Sequence, residues 1–239
     1  MKYTFTLLVF ALLSISAFSQ TPVLNKKNEV AFVVTDLIDG SFQLKYERVI
    51  SDHFSVDLGL GYKGEKGLIN LSGLDTEKIK TSDLTYTGIK VVPEVRYYLN
   101  NIRQTGMTGF YLGAYVKYSH FKSDLDGEYV DDAGTPFDLE FDANIDITSV
   151  GLMVGYKLPI SKRFSIDFLI AGPGSGFYNI SIENQRDLPD EFYDDLNEAL
   201  EKYSLFDYLN GDFRFSQVKR RSDLRLLSFR YGVSLTYAF

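Results

Sequence analysis

Few residues of this chain could carry out covalent chemistry. It contains two histidines, His53 and His120, and no cysteine, so a thiol nucleophile and a thiolate metal site are both excluded. Ser119 directly precedes His120, and a serine activated by a histidine could perform acyl transfer. Both lie, however, in a stretch that alternates as a β-strand does, where neighbouring side chains point to opposite faces. We therefore predict no catalytic, cofactor-binding or metal-binding residue, and we expect the chain not to be an enzyme.

A second group with chemical potential is a set of charged side chains that alternate with apolar ones. Alternate residues of a strand share a face, so charges of both signs would meet on the inner side of a closed barrel. A barrel of eight strands is filled by its own side chains. We interpret the set as a salt-bridged core, with a proton or solute path as the alternative. The predicted lumen charge network comprises Asp57, Lys90, Glu94, Arg96 and Arg230.

Acidic residues crowd the segment 124–142, which we predict to be a loop. No Lys or Arg separates them. A solvated loop is the favoured interpretation, and a calcium site built from carboxylate oxygens is the alternative. The residues are Asp124, Asp126, Glu128, Asp131, Asp132, Asp138, Glu140 and Asp142.

Two arginines, Arg221 and Arg225, lie where the last strand is expected to leave the membrane. They share the predicted lipid-facing side with Phe229, and the planar guanidinium group binds phosphate through two hydrogen bonds. We predict that they contact the phosphates of lipopolysaccharide headgroups. The alternative pairs them with an acidic helix expected at residues 190–201.

The elements that must position these residues are about eight strands. Alternation of apolar with small or polar residues is clearest from Phe54 to Tyr62 and from Leu227 to Phe239, and this period of two indicates strands. Pro93 interrupts one strand and predicts a bulge there. After Pro189, apolar residues recur at helical spacing and predict a short amphipathic helix.

The connections between these strands alternate in length. Short turns near residues 51, 101 and 160 are expected to face the periplasm, and long segments are expected to face outward. The sequence thus predicts an all-β fold, a single antiparallel transmembrane β-barrel with a helix in its last long loop. The long segments are 64–83, 124–142 and 181–222.

Alternation alone does not say which face is outside, and a soluble lipocalin-like ligand-binding barrel has the opposite arrangement. Aromatic residues make up 15% of the chain, with 17 Tyr and no Trp. Apolar faces that begin and end on aromatics are typical of the two girdles of a membrane barrel. Inward glycines suit a narrow lumen. These features favour the membrane barrel, and the net charge of −7 argues against nucleic acid as a partner.

The beginning of the sequence has the pattern of an export signal. Lys2 is followed by an apolar core and by the small-x-small site Ala17-Phe18-Ser19, which predicts a signal peptide over residues 1–19 and a barrel over residues 20–239. The apolar core is too short for a spanning helix. No cysteine follows, so no lipoprotein anchor is expected.

Three features together resemble the small outer-membrane β-barrel proteins of Bacteroidetes, distantly akin to the OmpA/OmpX-like eight-stranded barrels. They are the cleavage region Ala17 to Gln20, the hairpin residues Tyr46-Glu47-Arg48 and the terminal Tyr237-Ala238-Phe239. The terminal aromatics are similar to the signal read by the barrel-assembly machinery, although Ser234 stands where that signal usually has glycine. The resemblance implies a monomer in the bacterial outer membrane, in contact with lipopolysaccharide.

The expected function is a structural or interaction role, with acidic outward loops contacting envelope components or a partner. The alternatives from other classes are a barrel enzyme that modifies lipid and the soluble lipocalin-like barrel.

Overall fold

The strands close into a ring. The computed structural model describes residues 26–65, 67–68, 72–184, 188–202 and 221–239. Each strand of the ring pairs antiparallel with its neighbours, and the first strand pairs with the last, which closes the sheet into a barrel. The strands are β1 (Asn28–Val33), β2 (Ser41–Val49), β3 (Phe54–Lys63), β4 (Ile79–Thr81), β5 (Thr87–Tyr98), β6 (Gly109–Val130), β7 (Pro136–Pro159), β8 (Phe164–Asn184) and β9 (Arg221–Ala238).

Eight of these strands form the barrel, which confirms the predicted all-β fold. The short β4 lies outside the ring and pairs with the outer end of β6. The described residues form two regular helices: α1 (Ile102–Thr105), in one of the short turns predicted to face the periplasm, and α2 (Asp190–Lys202), in the last long connection, where a helix was predicted. A 3-10 turn, Thr35–Asp39, joins β1 to β2. Among the described residues, no helix is long and apolar enough to cross a membrane. The predicted signal peptide, residues 1–19, lies outside the described residues.

The barrel wall is uneven in height. Strands β6, β7 and β8 have 22, 24 and 21 residues, whereas β1 has 6 and β2 has 9. The acidic segment 124–142 was predicted to be a loop, and this is wrong: β6 and β7 remain paired from Gly109↔Lys157 to Val130↔Pro136. The strands continue because Leu125, Tyr129 and Leu139 place apolar side chains on the inner face of the hairpin. We call this part of β6 and β7, residues 124–142, the outward hairpin.

The position of the bulges also differs from the prediction. Pro93 pairs with Leu58, and the register between β5 and β6 is the same on both sides of it. Proline needs no bulge here because its ring points outward and only one ladder hydrogen bond is lost. Register shifts occur instead at Val154/Gly155 and between Leu169 and Gly172.

An apolar belt surrounds the barrel. On β6 it runs from Phe110 to Tyr118, and on β7 Leu152 is 69% exposed. Eight residue steps at ~3.3 Å each, tilted by about 40°, give a belt roughly 20 Å high, close to the apolar band of outer-membrane barrels. Aromatic pairs on adjacent strands mark its edge on the side of the short turns: Phe54–Tyr97, Phe110–Tyr156 and Phe164–Tyr237.

Such a belt is far larger than the apolar patches that a protein exposes to water. The barrel therefore has the exterior of a membrane-spanning protein. This orientation of the two faces, with charged side chains inside and apolar ones outside, is the reverse of a soluble lipocalin-like barrel and excludes that alternative.

Two apolar clusters close the ends of the interior. At the end with the short turns, α1 places Ile102 inside the opening of the barrel, where it packs with Met107, Tyr98 and Tyr111. At the outer end, α2 packs Phe192 against Tyr129 and Phe141 on the inner face of the outward hairpin. Lys78 donates hydrogen bonds to Asp195 of α2, 2.9 Å and 3.0 Å long, and the carboxylates of Asp132 and Asp195 raise the pKa of Lys78. The helix is thus packed against the hairpin and joined by an ion pair to Lys78, the residue before β4.

Candidate functional site

The centre of the barrel is a buried charge cluster built around Arg96. This side chain points inward from β5 and is 1% exposed. Its guanidinium group lies 2.7 Å from Glu94, 3.1 Å from Glu47 and 2.8 Å from Asp167. Arg96 also stacks over the ring of Tyr111, with 4.5 Å between the guanidinium carbon and the ring centroid. The fork of the guanidinium group therefore joins carboxylates from three parts of the ring.

Further cations complete the cluster. Glu94 accepts hydrogen bonds from Lys45 at 3.1 Å and from Arg230 at 2.8 Å. Lys157 donates to Glu47 at 2.6 Å and also pairs with Glu29. Buried charges are tolerated when they are paired and hydrogen-bonded in this way.

The structure brings together four of the five residues of the predicted network. Arg96 and Arg230 both bind Glu94, and Asp57 lies 3.5 Å from Lys45 and 3.8 Å from Arg96. Lys90 is separate, because its ammonium group pairs with Asp36 at 3.1 Å in the Thr35–Asp39 turn. Glu29 was missed by the sequence reasoning. Its position one residue before the outward-facing Val30 was the signal that could have placed it on the inner face.

The ion pairs of this cluster connect strands on different sides of the barrel, and they occupy the space that a proton or solute path would need. Tyr98 and Tyr111 donate hydrogen bonds to Glu47 and Asp167, each 2.8 Å long. Ile102 and Met107 pack below them and are almost fully buried. Within the part of the chain that the structure describes, side chains fill the interior at this level, as expected for an eight-stranded barrel.

The acidic residues of the outward hairpin form a ladder on its outer face. Asp124 lies directly opposite Asp142, Asp126 opposite Glu140, and Glu128 opposite Asp138. The β6 members of this ladder, Asp124, Asp126 and Glu128, are all exposed. The described residues include no group of His, Cys, Asp or Glu side chains able to hold a metal ion by themselves.

Arg225 lies on the outer surface of β9, as its alternation with Leu227 and Phe229 predicts. Its Nε donates to Ser175 at 3.1 Å, and its guanidinium carbon lies 5.2 Å from the centroid of the Phe177 ring. The side chain of Arg221 lies outside the described residues. Of the acidic residues on α2, the helix named as the alternative partner, Asp195 accepts hydrogen bonds from Lys78 and from the hydroxyl of Tyr129.

Ser119 and His120 lie on opposite faces of β6. Ser119 is buried inside the barrel. The His120 ring lies outside, where Nδ1 is 2.9 Å from Asp146, which also accepts a hydrogen bond from Tyr118 at 2.8 Å. The two residues therefore cannot act together as nucleophile and base in this arrangement.

Comparisons with known proteins gave a family match and several structural similarities. A family model described as "Protein of unknown function (DUF3575)" matches residues 5–187. No curated protein sequence matches the chain. Solved structures similar to it include a major outer membrane protein of Thermus thermophilus, with 14% identity and a TM-score of 0.39, covering 90% of this chain and 98% of that one. CarO2 and CarO of Acinetobacter baumannii are each 13% identical, with a TM-score of 0.38, covering 92% of this chain and 100% of theirs.

Proposed function

The chain belongs to the DUF3575 family, and we propose that it is a structural or interaction protein of the bacterial outer membrane, without enzymatic activity. In this proposal it inserts as a monomer with the help of the barrel-assembly machinery. Its outward hairpin contacts cationic groups of envelope components, among them the divalent cations bound to lipid phosphates.

The observation that carries this proposal is the row of exposed carboxylates on the β6 strand of the outward hairpin, Asp124, Asp126 and Glu128. With ~3.3 Å per residue, Asp124 stands about 20 Å of strand beyond Tyr118 at the outer edge of the apolar belt. The acidic face thus extends into the layer of sugars and phosphates above the membrane. Carboxylate oxygens are preferred ligands of hard divalent cations, and the three on β6 are exposed to such cations.

The alternative of a lipid-modifying enzyme has less support. The one serine–histidine sequence is split between the two faces of β6, and the charged side chains of the cluster around Arg96 each form at least one ion pair within the cluster. A non-catalytic role accounts for both the ion-paired centre of the barrel and the exposed acidic face.

The proposal predicts that neutralising the acidic face weakens the envelope. The variant combines Asp124→Asn, Asp126→Asn and Glu128→Gln, all exposed on one strand. We expect cells with this variant to take up more of the hydrophobic dye N-phenylnaphthylamine, approaching the level of cells that lack the protein. The control combines Glu191→Gln and Asp194→Asn, exposed on α2, and should behave as wild type.

Equal dye uptake by the neutralised variant and wild type would contradict the proposal, as would normal uptake by cells that lack the protein. Loss of function in Ser119→Ala or His120→Ala, with a normally folded barrel, would favour the enzyme instead.

Lipopolysaccharide contact by Arg225 gives a separate prediction. We expect Arg225→Gln to reduce the lipopolysaccharide that co-purifies with the protein, because glutamine loses the charge that attracts phosphate. A matched control is Arg163→Gln. Arg163 is also exposed and lies over an aromatic ring, 5.9 Å from the centroid of Tyr237, but at the periplasmic rim. Equal lipid content in both variants would show that Arg225 serves only the contacts with Ser175 and Phe177.

A further inference from the structure

A cavity of about 180 Å³ lies inside the barrel on the outer side of the charge cluster. Cavities of ~150 Å³ accommodate a molecule the size of benzene, so this one has room for a small anionic group and the first carbons attached to it. Its charged lining consists of four cations, Lys45, Lys90, Lys117 and Arg230, and three carboxylates, Asp36, Asp39 and Asp167. Asp36 and Asp39 pair with Lys90, and Asp167 pairs with Arg96. The lining therefore carries one net positive charge, in contrast to the acidic outer face on which the proposed function depends.

Two of these cations have bonding capacity that the protein does not use. Lys117 points inward from β6 and forms no hydrogen bond or ion pair with any residue that the structure describes. Arg230 uses Nη2 to bind Glu94 at 2.8 Å, but its Nη1 is buried without a hydrogen-bond partner. Burial of an unpaired charged donor is costly, and a bound anion would satisfy both groups at once.

The Thr35–Asp39 turn covers this cavity from the outer side. The hydroxyl of Thr35 accepts a hydrogen bond from the backbone N–H of Val233 at 3.2 Å, and Asp36 binds Lys90 at 3.1 Å. Gly232 allows this approach, because a Cβ there would lie 3.0 Å from the Thr35 hydroxyl. Access from above is thus restricted by the turn.

Access from the side is different, because one edge of β9 is free near the cavity. Strand β1 ends at Val33, and its pairing with β9 stops at Ser234, followed by one hydrogen bond from Val34 to Val233. Beyond that point, no described strand pairs with this edge of β9. The consecutive residues Phe229 to Gly232 all line the cavity. A strand face offers only alternate residues, so the cavity reaches the edge itself.

The membrane side of this edge is strongly apolar. Leu227 is 84% exposed and Tyr231 is 71% exposed, against 58% for Phe229 between them. These side chains lie at the height of the outer part of the belt. A molecule that passes the edge would therefore leave its apolar part among them.

We propose that this cavity binds the carboxylate or phosphate head of a single-chain lipid, with Lys117 and Arg230 holding the head and the chain lying across the free edge of β9 into the membrane. The positive charges select an anion, and the apolar edge selects one with a hydrocarbon chain. Both features lie at the free edge of β9, where the cavity meets the membrane.

Binding of radiolabelled dodecanoate tests this proposal. The wild-type protein in phosphatidylcholine nanodiscs is equilibrated with dodecanoate by dialysis, and empty nanodiscs give the background from partitioning. We expect saturable binding that Lys117→Gln weakens about tenfold or more, since one charge-assisted contact is lost. Lys117 has no ion pair in the fold, so this variant should remain a folded, heat-modifiable barrel.

Two further variants keep the result specific. Lys117→Arg retains the charge and should bind within about twofold of wild type. Lys122→Gln removes an exposed charge from the same strand and should change nothing. Unaltered binding in Lys117→Gln would overturn the proposal, and so would equal binding of uncharged dodecanol.

Competition separates a lipid from a free anion. Inorganic phosphate and acetate should displace dodecanoate only at far higher concentrations, because they lack the chain. If they bind as tightly as dodecanoate, the site takes small anions from solution and the proposed access from the membrane is wrong. Dye uptake by the Lys117→Gln cells should equal wild type, which keeps this test independent of the acidic face.

Discussion

Replacement of Arg96 by Leu is expected to destabilise the barrel by about 3–5 kcal/mol, the range observed when one partner of a buried ion pair is removed. The side chain is 1% exposed and binds Glu94, Glu47 and Asp167. The first two carboxylates keep lysine partners, but Asp167 would keep only the hydroxyl of Tyr111 among the described residues. A buried carboxylate with so little compensation is the source of the expected loss.

Urea unfolding of the purified protein in detergent measures this loss, and the shift on an unboiled gel gives an independent reading of folding. Arg103→Leu is the matched control, because its pair with Asp52 is 3.4 Å long and about half exposed. Exposed pairs contribute ~1 kcal/mol or less. Similar unfolding midpoints for the two variants would mean that the central cluster does not hold the wall together.

Replacement of Leu152 by Arg is expected to impair insertion of the barrel into lipid. Leu152 lies near the middle of the apolar belt and is 69% exposed. In water, an exposed leucine can be replaced by arginine at little cost. Facing lipid near the midplane, the same change costs ~2–4 kcal/mol. The variant therefore separates a membrane exterior from a solvated one.

The measurement is the folded fraction after dilution from urea into phosphatidylcholine vesicles, read from heat modifiability. Thr148→Arg serves as the control, since Thr148 is exposed on the same face of β7 but lies at the outer edge of the belt. The penalty should fall to ~0–1 kcal/mol there. Equal insertion of both variants would contradict a lipid-facing belt.

The predictions from sequence succeeded where one face of a strand was continuously apolar. From Phe54 to Tyr62 the outward side chains face lipid, so the period of two is complete and the strand was recognised. In the outward hairpin the outer face is acidic, and only the inner residues Leu125, Tyr129, Leu139 and Phe141 mark a strand. The same alternation is present, but there the outer face meets water rather than lipid. The many acidic residues of that face therefore led to the prediction of a loop.

The candidate site was only partly predictable for a different reason. The alternation of side chains along a strand places Glu94, Arg96 and Arg230 on the inner face of the barrel. It does not give their positions along the barrel axis. Lys90 shares their face and still binds Asp36, because the short β1–β2 hairpin folds its connecting turn inward. The free edge of β9 likewise follows from the unequal lengths of β1 and β9, and strand ends are the least certain part of any pattern.

The unequal strands also decide how the ring is completed. Seven of the eight strand pairings in the ring join strands that are consecutive in the chain, apart from the short β4, and each closes a single connection. The eighth joins Glu29–Val33 to Ser234–Ala238, with Lys26 reaching the carbonyl of Ala238 across 212 positions of sequence. Bringing together segments so far apart carries the largest loop-closure entropy, and five residue pairs return little enthalpy for it. We therefore expect the pairing of β1 with β9 to be the slowest step in forming the barrel. We expect the same pairing to separate first when the folded barrel is strained.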